Sequence, residues 1–516
     1  MAQSGIWFWE GENRRPFRTY LLALLVLAFL LRLPLLFFPE VIRNDGAEYV
    51  RHAKLVLDGG WTAGKAPPLY PVLIAFGHLV IPDWELAGIL VSVLFGALLV
   101  LPVVYLGKEL FGEQVGLVSG LFVAVHPFLH SFSGSVMTES VYYFLVAMIV
   151  WLGWQAFERG RFLAILLFGL FTSLAYLTRP EGLGYLIVFS LWVLIVSPSS
   201  GKRGWSKKVG IVCLAILGFL LLSSPYLIQI RKETGRWGIT KKFVISVESS
   251  TGDEGAQTIE TFTRRKEISL LSLAKNPLTV LKKIGVGFLK SFYVFQQSFN
   301  PLLFFLVLLI PLFFRDSLFP LKGHLYLFAY FFFFLGFVLP FLWVARRYAS
   351  QMIPIAIPWA AIGFLNAAAW VSSRMKGSVT GKKFPALLLI VVLLGLFVQG
   401  RVSHGQYRLI QKEVGLWMKD HLPRGEKMMS KMGHESFYAE QAWVLMPEKS
   451  YEAIIEEARR KGVRYVVVDE SIKKDSPDFL EKAKQGELLR LYELEMSGRW
   501  MVVFELVDSP VGPKEK

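Results

Sequence analysis

Asp45, Glu48 and His52 stand at i, i+3 and i+7 near the start of the segment Asn44 to Pro71, NDGAEYVRHAKLVLDGGWTAGKAPPLYP. If residues 41–57 form a helix, that spacing sets all three on one face, and two carboxylates look the same way. Such a pair suits general-base work on an acceptor group. It also suits a plain helix start, with Asp45 as N-cap and Glu48 as its capping-box partner. Location separates the two readings. The segment is the first long polar stretch of the chain, it also carries Arg51, Lys54 and Lys65, and it follows the first hydrophobic run directly.

That run belongs to a membrane protein. The 516 residues are 54% hydrophobic and 15% aromatic, and the mean hydropathy of +0.46 is well above that of a soluble domain. A net charge of +16 would point to nucleic acid in a soluble chain. Here cytoplasmic loops account for it, and no nucleic-acid partner is expected. A single cysteine, Cys213, excludes an intramolecular disulfide and a cysteine-based metal site.

Apolar segments long enough for a hydrocarbon core of about 30 Å number about eleven: residues 20–38, 84–106, 115–131, 139–157, 162–178, 183–198, 209–229, 300–314, 324–344, 350–372 and 384–400. Residues 70–81 are apolar but too short to span. Loop charge orients the bundle. Arg14, Arg15, Lys108, Arg159, Arg161 and Lys202 fall in loops of one parity, which places the N-terminus in the cytoplasm and the tail from Arg401 outside.

With that topology, ionisable residues from four separate segments reach the outer boundary. They are Asp45, Glu48 and Lys65; Glu139 in HPFLHSFSGSVMTES; Arg179 and Glu181 in TRPEG; and Arg346, Arg347 and Tyr348 in ARRY. Each has a plainer role available. Glu139 suits a helix start, Arg179 could pair with Glu181, and one of Arg346 and Arg347 could snorkel to headgroups. His126, His130 and His324 read as interfacial, and Phe331 to Phe334 as an apolar wall. A carrier would set its ionisable groups near the bilayer midplane, whereas these gather at one surface, as an outward-facing active site would.

In order along the chain, NDGAEY, KAPPLYP, SGSVMTES, LTRPEG and ARRYASQMIPIAIP resemble the bacterial GT-C glycosyltransferases related to protein O-mannosyltransferases and lipid A aminoarabinose transferases. The resemblance covers residues 20–370 and rests on the order of the motifs and their common membrane side. In that family an Asp-Glu-x-x-Tyr motif opens the first outer loop, a Pro-Pro-x-Tyr-Pro stretch follows, and an Arg-Tyr segment precedes a proline-rich span. Here Gly46 follows Asp45 and the second acid is displaced to Glu48, so the catalytic role carries over to Asp45, with Glu48 in support.

The resemblance implies transfer of a hexosyl or pentosyl sugar, with inversion, from a polyprenyl-phosphate-linked donor to an extracytoplasmic lipid, glycan or protein in a bacterial inner membrane. Asp45 is then the general base, and Glu139 or Glu48 holds acceptor or sugar hydroxyls. Lys65, Arg179, Arg346 and Arg347 hold the donor phosphate, and Tyr49, His52, Tyr70, Glu181 and Tyr348 position substrate. No cofactor is assigned, and a divalent cation at the acidic motif is left open. The rivals are a carrier or flippase for an amphipathic lipid-linked substrate and a non-catalytic scaffold of envelope assembly.

The expected architecture is a polytopic α-helical, GT-C-like domain over residues 1–400, with a catalytic outer loop at 39–83 and an outer loop at 230–300 that is either a lid over the acceptor or a surface connection. A small α/β extracytoplasmic domain over 401–516 follows. Residues 273–299 have the spacing of an interfacial amphipathic helix. In the tail, Lys412 to Leu422 and Tyr451 to Lys461 read as helices and Arg464 to Asp469 and Trp500 to Val507 as strands.

Overall fold

A computed structural model describes residues 16–38, 41–60, 66–199, 201–240, 277–310, 321–341, 344–374, 379–400 and 409–507. The chain divides into two compact units: Met1–Phe38 with Tyr49–Arg401, and Pro39–Glu48 with Val402–Lys516. The first is helical and the second carries a sheet. The boundary falls inside the helix Asn44–Leu57, whose first residues, Asp45 and Glu48 among them, group with the C-terminal sheet domain.

Among the described residues six helices are long and apolar enough to cross a membrane, or eight if two sharply bent pairs each count once. The eleven expected segments exceed that number because Phe162–Tyr176, Pro180–Ile195 and Phe384–Gln399 are apolar but shorter than the roughly 20 residues a straight span needs. The short segment after Pro68 is the helix Leu69–His78. Burial separates the helices by position. Glu139–Arg159 and Arg346–Arg374 are each 72% buried over their apolar windows, against 22% for Phe17–Leu36 and 33% for Trp205–Thr234. The first two are therefore central, and the exposed leucines and isoleucines of the others, such as Leu22, Leu217 and Leu221, form the apolar exterior.

One expected span is broken. Residues 113–133 bend by 55° between Glu113–Val125 and Pro127–Ser133. Pro127 has no N–H to give the carbonyl of Val123, and Phe128 N–H turns to Nδ1 of His126 (3.2 Å), so the carbonyls of Val123 and Ala124 lose their helical donors. Arg32 replaces both. Its Nη2 donates to Val123 O at 3.2 Å, its Nη1 to Ala124 O at 3.0 Å, and its Nε to Ser133 Oγ at 3.1 Å. His126 is fully buried, and its Nε2 lies 3.3 Å from the carbonyl of Phe299, so it is a cap at a helix break and not an interfacial side chain. Phe299 ends the helix Pro277–Phe299, which turns by 113° into Pro301–Leu308. The phenylalanine wall divides: Phe331 and Phe334 are buried, while Phe332 is 40% exposed.

The C-terminal domain is a five-stranded sheet in the order β2-β1-β3-β5-β4, with β1 Lys427–Ser430, β2 Ala442–Leu445, β3 Tyr465–Asp469, β4 Leu488–Met496 and β5 Arg499–Leu506. The β1/β2 and β1/β3 pairs are parallel, and β3/β5 and β4/β5 antiparallel. Period-2 alternation explains the apolar run in β3. Val466 and Val468 face one core with Ile454, Phe479 and Phe504, and Tyr465 and Val467 face another with Val414 and Met418 of the helix Leu409–His421. The expected helices and strands are present; β1, β2 and β4 are additions.

Candidate active site

Glu139 begins one of the two most buried of the candidate spans, and its side chain has no exposed surface. An isolated carboxylate there would be costly, so it must be paired. It is paired twice: Oε1 accepts from Arg179 Nη1 at 3.0 Å and from Arg347 Nε at 2.9 Å. Arg179 also donates through Nη2 to Glu181 Oε1 at 3.3 Å. Two arginines and two glutamates thus balance, and one buried carboxylate fixes both guanidinium groups. Arg179 is 8% exposed in its side chain and Arg347 29%, so Arg347 is the more accessible cation.

Local sequence places each member. Thr-Glu-Ser at 138–140 starts a helix with its acid in the first turn, near the positive end of the dipole. Arg179 is extended (φ −151°, ψ 135°), as the residue before a proline must be, and a 3₁₀ turn over Pro180–Gly182 reverses the chain. Gly182 is required there, since a Cβ would lie 2.5 Å from Tyr176 N. Arg347 lies in the single turn Arg346–Ala349, held from below by Gln351. Gln351 Oε1 accepts from Tyr142 Oη (3.2 Å) and Tyr185 Oη (3.0 Å), and its Nε2 donates to Tyr348 O at 2.8 Å. Tyr143 and Ser350 share a further hydroxyl hydrogen bond. The Arg179 guanidinium lies 4.8 Å from the Tyr348 ring centre and 5.4 Å from that of Tyr142.

Of the residues singled out by sequence, Glu139, Arg179, Glu181, Arg347 and Tyr348 come together. Arg346 does not join them; it is exposed and its Nε donates to Gln297 Oε1 at 2.9 Å. Tyr70 is fully buried, its hydroxyl 3.2 Å from Gly88 O and 3.0 Å from Ser92 Oγ, and its ring meets that of Tyr49 edge to face at 5.3 Å. His52 Nε2 lies 3.1 Å from Arg51 Nη2 at an exposed position. Asp45 is in the first turn of Asn44–Leu57 and belongs, with Glu48, to the C-terminal unit. Lys65 and most of the expected outer loop at 230–300, residues 241–276, lie outside the described residues. Gln351, Tyr142 and Tyr185 were not anticipated, although a glutamine inside the apolar run SQMIPIAIP was a visible signal. Among the described residues no three His, Cys, Asp or Glu side chains stand at metal-ligand spacing.

Residues 65–228 match the family model of dolichyl-phosphate-mannose-protein mannosyltransferases, roughly a third of the chain. No curated protein matches the chain significantly in sequence. Solved structures do match in fold. The Archaeoglobus fulgidus oligosaccharyltransferase in complex with Zn and sulfate is 14% identical at a TM-score of 0.60, over 90% of this chain and 71% of that one. ArnT from Cupriavidus metallidurans bound to undecaprenyl phosphate is 13% identical at 0.57, over 96% of this chain and 99% of that one. AglB from Archaeoglobus fulgidus in complex with an inhibitory peptide and a dolichol-phosphate is 13% identical at 0.53, over 95% and 74%. The chain therefore has the GT-C fold, and its residues 65–228 resemble the dolichyl-phosphate-mannose-protein mannosyltransferase family.

Proposed function

We propose that the protein is a membrane glycosyltransferase that moves a sugar from a polyprenyl-phosphate donor to an acceptor outside the cytoplasm. The observation that carries this reading is the pair of guanidinium groups, Arg179 and Arg347, fixed by one buried carboxylate, Glu139. Because the cluster is charge-balanced, what it offers a phosphate is directed hydrogen bonding from pre-positioned donors more than bulk attraction. ArnT, of the same fold, holds undecaprenyl phosphate.

In the proposed reaction Asp45 takes the proton of the acceptor hydroxyl or amine as that atom attacks the anomeric carbon. The bond from that carbon to the phosphate oxygen breaks, and polyprenyl phosphate leaves with the electron pair, giving inversion. Arg347, backed by Arg179, stabilises the charge that grows on the leaving phosphate. Glu139 is reassigned from substrate contact to a positioning role, since its Oε1 is occupied by both arginines. A divalent cation, if one takes part, has Asp45 and Glu48 as carboxylate ligands. Eleven spans with an extracytoplasmic tail remain the topology we propose.

The deciding experiment is transfer of radiolabelled sugar into envelope fractions of a deletion strain complemented with wild type or Arg347→Ala at equal membrane abundance. Loss of label from one envelope glycan, with accumulation of polyprenyl-linked donor, supports the transferase. Normal labelling by Arg347→Ala removes the observation on which the proposal stands.

A further inference from the structure

The segment leading into the Asp45 helix is tied to the C-terminal domain. Ile42 N–H donates to the hydroxyl of Tyr438 at 2.9 Å across 396 residues of sequence. Val41 and Ile42 are 3% and 1% exposed, and Tyr438 is 6% exposed, so this bond is closed to solvent. Ala47 N–H donates to Arg43 O at 2.9 Å, the first bond of the helix, which makes Ile42 the residue just before its cap. The bond to Tyr438 therefore fixes the backbone at the entry to the helix that carries Asp45, three residues from it.

Tyr438 is itself held firmly. It lies on the short helix His434–Ala439, which packs on Leu409–His421 at Gly415, where a Cβ would come within 2.6 Å of Glu435 O and 2.8 Å of the Tyr438 Cβ. Phe437 meets its ring edge to face at 5.2 Å, and Lys412 Nζ lies 5.0 Å from its ring centre.

We infer that the C-terminal domain positions the candidate base, with Tyr438 as the positioning residue acting through Ile42. This rests on the reading of Asp45 as general base. It gives the domain a part in the transfer step itself, beyond contact with acceptor or partner.

The test uses full-length protein in nanodiscs, comparing wild type, Tyr438→Phe, Asp45→Asn and the double variant. A control, Tyr451→Phe, deletes another hydroxyl of the same domain. Hydrogen exchange of amides 41–48 reads the tether directly, and binding of undecaprenyl phosphate reads donor affinity. Transfer is followed from radiolabelled polyprenyl-linked sugar extracted from native membranes. Tyr438→Phe is expected to raise exchange at 41–48 and slow transfer by about tenfold each, the scale of one lost buried hydrogen bond, with lipid phosphate binding unchanged. In the Asp45→Asn background it should slow transfer no further, and the control should change neither readout. Unchanged exchange, faster exchange with normal transfer, or equal effects from the control overturn the inference. An inactive Asp45→Asn beside a fully active Tyr438→Phe sinks it alone; a fully active Asp45→Asn removes the base and with it the catalytic part.

Discussion

At the scale of single residues, the charges that sequence reading groups together divide into two sets with different work. Asp45 is the proposed base, and Asp45→Asn should lower transfer by about 10²–10⁴ while the protein still inserts and folds. Near-normal turnover by a well-folded variant would leave Asp45 a first-turn carboxylate at the positive end of its helix, Arg43 being the cap. Glu139 calls for a different substitution series. Glu139→Gln keeps shape and a hydrogen-bond acceptor, so we expect about a tenfold loss of turnover with the fold retained, in line with one weakened charge-assisted bond. Glu139→Ala removes the buried carboxylate that both arginines share, leaving Arg179 its bond to Glu181, and should cost about 3 kcal/mol of stability. Thermal melting and transfer measured side by side check both, and a loss of 10³ or more for well-folded Glu139→Gln would return it to direct contact with substrate.

At the scale of elements, the bundle departs from uninterrupted spans where prolines withdraw backbone donors. Arg32, at the end of an apolar helix, is the clearest case. In the fold it is fully buried and spent on the carbonyls of Ala28, Val123 and Ala124 and on Ser133. This accounts for a buried arginine without a substrate path through the membrane, the feature a carrier would need. Arg32→Met should therefore lower the stability of the whole protein by roughly 3 kcal/mol, since carbonyls freed at Pro127 would lie buried without donors. Melting in detergent measures it, and a variant as stable as wild type would mean that the break is satisfied in another way.

At the scale of the molecule, the start of the acidic segment and the C-terminal domain form one unit. That domain also carries a pH dependence of its own. Burial pushes the Glu435 carboxyl up from its ordinary value of 4.5 to about 7. The folded state then holds a proton that the unfolded chain releases, so the stability this group confers is complete below about pH 4.5 and is lost as pH rises through about 7. The loss is on the order of 3 kcal/mol at 1.36 kcal/mol per unit. Protease resistance of the domain in the full-length protein should fall from pH 5.5 to pH 8, and Glu435→Gln should flatten the change. Parallel profiles for the two proteins would assign the dependence to other groups.

Composition and periodicity alone determined that the chain is a polytopic helical membrane protein with a separate α/β tail, because apolar runs and period-2 alternation are local signals that survive without any partner. The order of short motifs put Glu139, Arg179, Glu181, Arg347 and Tyr348 in one group, but together with Asp45, Glu48, Lys65 and Arg346. Tertiary structure alone decided which of them meet. Nothing local tells Arg347 from Arg346, and only the fold turns one to Glu139 and the other to Gln297. Tyr70 read as a substrate contact until packing enclosed it, and Gln351 gained its part only when Tyr142 and Tyr185 arrived from distant helices. The attachment of Ile42 to Tyr438 is of the same kind, since a hydrogen bond across 396 residues leaves no periodic trace at either end. Local spacing specifies which face a residue occupies; what that face meets is set by packing between segments far apart in the chain.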